Sequence, residues 1–253
     1  MNKRLASSLA LGALFVSGAA LAQTKAPEPD YTLTYNVGAV TEYRYRGISQ
    51  SGKKPALQFG ADFAHKNGFY LGGWGSTITW IKDSSVPGTS VKGPIEIDLY
   101  GGYKGAINET VSYDVGALQY WYAGNNYKNL STANADTLEL YGALTVGPLT
   151  AKLSNSVTNL FGTPNSKNST YFDLSATFDL GDGYSVVPHV GHQRVKNTLN
   201  YTDYSVALNK DIDGLVLSAT LLGTNRKNFF TLPGTGSKDL GGTSLVLGIK
   251  KNF

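Results

Sequence analysis

The chain has 253 residues, no cysteine, and 22 basic against 18 acidic side chains, a formal charge of +4. The missing thiols exclude disulfides, thiolate metal sites and thiol catalysis. So small a charge argues against a nucleic-acid partner, and 30 glycines and 16 tyrosines beside a single methionine suit strands and turns better than helices.

Residues 1–22 read as a secretory signal peptide. Asn2, Lys3 and Arg4 give a short basic start, Leu5 to Val16 is apolar and uncharged, and Ala20-Leu21-Ala22 is a small-x-small cleavage site. The mature chain is expected to begin at Gln23; without Lys3 and Arg4, 20 basic residues face 18 acidic ones, a charge of +2. Residues 23–30, with Pro27 and Pro29, read as a flexible lead-in, and 31–253 as a single domain. After Ala22 no uncharged apolar stretch is long enough for a membrane helix.

From Tyr31 onward the polarity alternates in segments of the length a tilted membrane strand needs. They fall at 31–45, 55–64, 69–80, 94–103, 111–122, 137–146, 149–158, 170–180, 184–193, 201–209, 215–223 and 244–253. Every second connection is short: Asn67-Gly68, Lys104–Thr110, Gly147-Pro148, Asp182-Gly183 and Asp213-Gly214. Asn-Gly and Asp-Gly favour the positive φ angles of type I′ hairpins. The connections between them are long and polar, at 46–54, 81–93, 123–136, 159–169, 194–200 and 224–243. This rhythm predicts an all-β fold: a transmembrane antiparallel up-and-down β-barrel of about twelve strands with periplasmic turns and outer loops.

Period-two patterning assigns the faces. Leu57, Phe59, Ala61 and Phe63 oppose Gln58, Gly60 and Asp62. Ile95, Ile97 and Leu99 oppose Glu96, Asp98 and Tyr100. Leu138, Leu140 and Leu144 oppose Thr137, Glu139 and Tyr141, and Phe172, Leu174, Ala176 and Phe178 oppose Asp173, Ser175 and Thr177. A soluble lipocalin-like barrel would put the apolar face inside; the signal peptide, the loop rhythm and a chain ending on Phe253 favour lipid outside. Leu245, Leu247, Ile249 and Phe253 share one parity, and such a terminal strand is what an outer-membrane assembly machinery reads. Lys251 shares it near the end, where it can snorkel. Tyr31, Tyr43, Tyr45, Trp80, Tyr103, Trp121, Tyr122, Tyr184, Tyr201 and Tyr204 fall near segment ends, as girdle aromatics do. Three places fit poorly. A bulge near Gly72-Gly73 would reconcile Phe69 and Leu71 with Trp74, Ile78 and Trp80. Gln119 and Asn155 fall on apolar parities. Pro188 lacks a ladder donor, which also points to a bulge.

One stretch is more specific than any pattern. Tyr43-Arg44-Tyr45-Arg46-Gly47-Ile48-Ser49-Gln50-Ser51 is followed by Pro55-Ala56-Leu57-Gln58-Phe59-Gly60, by Gly68-Phe69-Tyr70-Leu71-Gly72-Gly73-Trp74-Gly75-Ser76 and by Glu96-Ile97-Asp98-Leu99-Tyr100-Gly101-Gly102-Tyr103. The chain from Tyr31 to Phe253 resembles the TorF family of porin-like proteins, which carry the Gcw_chp domain. The resemblance implies an outer-membrane location and a pore, without naming a solute. Gly75 departs from the family, which usually carries a side chain there.

The pore-lining candidates are the charged groups on the wet face: Asp62, Glu96, Asp98, Asp114, Glu139 and Asp173, with Arg44, Arg46 and Lys152. As rings of charge they would bias which solutes cross; paired across the lumen they would plug it. Roughly eight strands are filled by side chains and sixteen leave a channel, so twelve admits both. Arg44 and Arg46 could bind a sugar or lipopolysaccharide phosphate, or pair with lumen carboxylates such as Asp62 or Glu96. Enzymatic motifs are missing. His65 lies at a short turn, and His189 and His192 have opposite parities, with no recognisable nucleophile motif beside them. Residues 123–136 lack EF-hand spacing, and Gly72-Gly73 and Gly101-Gly102 precede no helix that could cradle phosphate. No cofactor or metal is expected. The function expected is passive diffusion of ions or small hydrophilic solutes, with outer-membrane lipid, lipopolysaccharide and the barrel-assembly machinery as partners. The alternative is a closed barrel that acts structurally or binds partners through its loops.

Overall fold

A strand in hydrocarbon must pair its backbone on both edges, because no water is there to do so. In the computed structural model, which describes residues 29–226 and 228–253, twelve strands meet that condition. They are β1 (Tyr31–Val40), β2 (Ala56–His65), β3 (Phe69–Thr77), β4 (Ile95–Ala106), β5 (Val111–Trp121), β6 (Thr137–Val146), β7 (Leu149–Ser156), β8 (Thr170–Ala176, resumed at Phe178–Gly181), β9 (Tyr184–Arg194), β10 (Tyr201–Ile212), β11 (Leu215–Thr224) and β12 (Ser244–Asn252). Each pairs antiparallel with its sequence neighbours. β12 returns to β1, with Asn36 opposite Asn252 and Val40 opposite Gly248, so the sheet has no free edge. The expected signal peptide and residues 23–28 of the lead-in lie outside the described residues.

The turns sort as expected. Asp182-Gly183 and Asp213-Gly214 hold positive φ at both residues, and the long loops gather at the opposite end. The faces sort as well. Leu57, Leu71, Leu140, Leu153, Val206 and Leu247 are exposed on the outside, while Glu96, Glu139 and Asp203 are buried inside. Lys210 and Lys251 share the outward parity but sit at the short-turn rim, where their Nζ atoms donate to the Asp182 carbonyl at 2.5 Å and the Asp213 carbonyl at 2.7 Å. Both reach out of the belt, as snorkelling requires.

Four expectations need correction. The first strand stops at Val40 rather than at residue 45, and the chain turns inward. The third strand carries no bulge at Gly72-Gly73: its register with β2 and β4 runs unbroken through both glycines. Trp74 is an inward aromatic, and Trp80 belongs to a single helical turn, Trp80–Asp83, beyond the strand. Gly72 leaves room inside for the Tyr100 ring, which a Cβ there would strike. Pro188 likewise sits in regular register with β10, opposite Val206. Its missing donor shows in the neighbouring strand instead, where β8 breaks at Thr177 and the Thr177 N–H donates to the Pro148 carbonyl at 3.0 Å. Finally, the aromatics divide. Tyr31, Tyr103, Trp121, Tyr184 and Tyr204 are exposed on the barrel wall, but Tyr43, Tyr122 and Tyr201 are buried. Tyr45 and Trp80 pack against that buried group, because the loops that carry them fold over the mouth.

A buried apolar cluster therefore lies at the long-loop end. Tyr43, Ala56, Ile78, Ile81, Val91, Tyr120, Tyr122 and Ala135 pack together there. They come from three loops and the strand ends beneath, and they hold the cap that shapes the lumen.

Candidate functional site: the lumen and its inturned loop

The loop between β1 and β2 decides the shape of the interior. At its centre Arg44–Tyr45 pairs with Ile48–Ser49 in a two-stranded hairpin. The turn at Arg46-Gly47 has φ of 46° and 77°, a left-handed pair that glycine makes accessible at its second position. A Cβ on Gly47 would lie 2.8 Å from the Gly223 carbonyl oxygen, so the tip is pressed against β11.

Arg46 carries the tip across the lumen. Its Nη2 donates to Glu139 Oε2 on β6 at 2.7 Å and its Nη1 to Gln193 Oε1 on β9 at 2.5 Å. Its guanidinium lies 4.0 Å from the Tyr171 ring centroid on β8 and 4.7 Å from that of Tyr45. Arg44 stays closer to home. Its Nε lies 2.9 Å from Glu42 Oε1, and its Nη1 donates to the carbonyls of Gly47 at 2.9 Å and Gly242 at 2.7 Å. Tyr43 anchors the base of the loop by donating to Glu96 Oε1 at 2.6 Å. Burial, reinforced by the Glu96 carboxylate, holds the Tyr43 phenol well above its ordinary range, so it remains a donor.

Two arginines expected on the wall thus lie in the loop, and the Arg46 partner is Glu139 rather than Asp62 or Glu96. The reason is the early end of β1, which sequence alternation through residue 45 concealed. The other expected residues face inward from the strands. Tyr100 donates to Asp62 at 2.5 Å, and Tyr70 donates to Asp114 at 2.5 Å and also meets the Tyr141 hydroxyl. Lys152 Nζ lies 3.9 Å from the Tyr141 ring centroid and Lys104 Nζ 4.5 Å from that of Tyr70. Asp98 Oδ1 is buried without a hydrogen-bond partner among the described residues. Asp173 takes up His189, with Nε2 at 2.7 Å from Asp173 Oδ2 and Nδ1 at 3.6 Å from Asp203 Oδ2. His192 points outward to the Thr202 hydroxyl.

Asp203, Glu42 and Lys104 are lumen or loop charges outside the expected set. Asp203 was legible: Tyr201, Asp203 and Ser205 take the parity opposite to the lipid-facing Tyr204 and Val206. Glu42 was not, because its role depends on the loop's path.

The hairpin divides the interior. On its short-turn side lies a cavity of about 320 Å³ walled by Arg46, Lys152, Tyr171, Asp173, His189 and Asp203. Beside it, sharing Leu118 and Lys152, a second of about 340 Å³ is walled by Tyr70, Trp74, Asp98, Tyr100 and Asp114. On the long-loop side an aromatic vestibule of about 320 Å³ rests on Tyr45, Ile48, Ser49 and Gln50 of the hairpin.

The fold is shared with solved porins. The structure titled KdgM porin in complex with disordered oligogalacturonate aligns at a TM-score of 0.54 and 8% identity, over 87% of this chain and 98% of that one. The NanC porin aligns at a TM-score of 0.53 and 10% identity, over 88% of this chain and 99% of that one. At such identity the likeness is one of architecture. No curated protein matches the chain in sequence. Residues 24–253 match the model of the family described as bacterial protein of unknown function (Gcw_chp), and the chain belongs to that family.

Proposed function

We propose that the protein is an outer-membrane channel through which ions or small hydrophilic solutes diffuse passively, past a constriction made by the 41–55 loop. The observation that carries this reading is a closed wall, apolar outside, around cavities lined by charged groups on the short-turn side of the hairpin. A bilayer covers such a belt at no cost in unpaired backbone, and water fills such a lumen. With Arg46 engaged by Glu139, the carboxylates of Asp62, Asp114, Asp173 and Asp203 outnumber Lys104 and Lys152. A mild cation preference follows.

No catalytic role is part of this function. His189 presents Nε2 to Asp173 and Nδ1 towards Asp203, so neither nitrogen is placed to activate Ser205 on the paired strand. Single-channel recording of the purified full chain in a planar bilayer tests the proposal. Discrete conductance steps, with a reversal potential favouring cations, are expected. A second reading, a closed barrel that works through its loops, is favoured by the anchoring of the hairpin at Glu139, Gln193 and Glu96. A folded barrel that stays electrically silent would select it.

A further inference from the structure

Two lysines of the lumen stand directly opposite carboxylates and pair with neither. Lys152 on β7 is the cross-strand partner of Asp173 on β8, and Lys104 on β4 is that of Asp114 on β5. Side chains so placed on one face of a sheet have Cβ atoms about 4.5–5.5 Å apart, and opposite charges there ordinarily attract. Among the described residues, neither lysine forms an ion pair. Each leans over a tyrosine instead: Lys152 Nζ lies 3.9 Å from the Tyr141 ring centroid, and Lys104 Nζ 4.5 Å from that of Tyr70. The acids turn away too. Asp173 Oδ2 meets His189 Nε2 at 2.7 Å, and Asp114 accepts from the Tyr70 hydroxyl. A positive and a negative group therefore stand side by side, held apart by separate partners and facing one cavity. Both members of the first pair are within a solute's reach: Lys152 is half-buried, and the Asp173 side chain keeps 24% of its surface accessible. Lys152 lies on the wall of both lumen cavities, so its ammonium stands between Asp173 and Asp114.

We propose that the cavity between Lys152 and Asp173 binds a small zwitterion, with an ammonium and a carboxylate on one carbon, as in a free α-amino acid. The solute carboxylate accepts from Lys152 Nζ and its ammonium donates to Asp173. Both are charge-assisted hydrogen bonds, about twice as strong as neutral ones. A simple cation finds Asp173 but is repelled by Lys152, and a simple anion meets the reverse. A neutral solute gains from neither charge. The cavity, about 320 Å³, suits a solute of few atoms. The second pair extends the path. With the carboxylate still at Lys152, the ammonium passes from Asp173 to Asp114, and Lys104 then receives the carboxylate. Lys104 lies at the short-turn rim, where its N–H donates to the Gly68 carbonyl at 2.9 Å. Partly exposed ion pairs are weak, and sites in a conducting path must release what they bind. The inference rests on the channel reading for the route by which the solute enters, and it names the solute class for that route.

The test uses the full chain reconstituted in lipid nanodiscs and four probes of nearly equal shape. L-Alanine is the zwitterion, L-alaninamide the cation, L-lactate the anion and L-lactamide the neutral form. Saturation-transfer NMR titrations at neutral pH, with empty nanodiscs as the blank, read binding. L-Alanine is expected to bind saturably and about tenfold more tightly than each of the other three. Lys152→Met and Asp173→Asn each remove one charge at little change in volume, and each is expected to bring L-alanine down to the level of the other probes. Lys152→Arg is expected to keep the preference. Heat-modifiable migration in gels checks that the variants fold, and the four-probe comparison on the unaltered chain is decisive whether or not they do. No signal above that of empty discs, an amide or L-lactate binding as tightly as L-alanine, or unchanged L-alanine affinity in both charge-removing variants overturns the proposal. Conductance of the same protein in a planar bilayer separates the two claims. Selective L-alanine binding without conductance removes the channel and leaves the site, and conductance without that binding removes the site and leaves the channel.

Discussion

Arg46 Nη2 donates to Glu139 Oε2 at 2.7 Å, with both side chains buried, and this contact ties the tip of the inturned loop to the far wall of the barrel. Tyr120 adds a longer contact to the same carboxylate oxygen at 3.4 Å. Removing one partner leaves a buried charge without compensation, at a cost of about 3–5 kcal/mol. Arg46→Ala is therefore expected to lower the urea unfolding midpoint and to raise single-channel conductance by freeing the hairpin. The Arg46→Ala/Glu139→Gln double variant should recover part of the stability and retain the larger conductance. An unchanged conductance in both variants would remove the hairpin from the permeation path.

Burial holds the phenols of Tyr43 and Tyr45 above their ordinary range. Above pH ~10 the unfolded chain loses these protons while the folded chain keeps them. Their contribution to stability is fully present below that pH and declines as pH rises beyond it. Urea midpoints measured between neutral and strongly alkaline pH are expected to fall on the alkaline side, and to fall less steeply in Tyr43→Phe. A parallel fall in the variant would count against this assignment.

Val206 lies on the outward face near the middle of β10, and Ala207 on the inward face beside it. Val206→Arg puts a guanidinium against hydrocarbon and is expected to cost about 2–4 kcal/mol. Ala207→Arg should cost less, because water reaches its side chain. Refolding into vesicles at graded urea concentrations compares the two, and equal losses would contradict the assignment of faces.

Phe253 closes the seam. Its N–H donates to the Tyr35 carbonyl at 2.9 Å, and its carbonyl accepts from the Tyr35 N–H at 3.2 Å. We propose that the cell's barrel-assembly machinery reads this terminal aromatic. Deleting Phe253 is then expected to reduce the heat-modifiable form recovered from outer membranes far more than it reduces refolding into vesicles. Equal reductions in both would trace the effect to the lost seam bonds alone.

Much of the barrel is legible in the sequence, because alternation with period two is a local property. The parity of Leu140 and Glu139 already separates lipid from lumen, and Asp213-Gly214 already marks a turn. The strand number and the sorting of short turns from long loops follow from those local signals. The early end of β1, the inward path of Arg46, its union with Glu139 and the enclosure of Trp80 above the hairpin depend on which loops meet at the mouth. Glu139 lies 93 residues from Arg46, and no local pattern links the two. Only closing the sheet brings β6, β8 and β9 round to face the loop, and that closure decides which charges pair and what space remains between them.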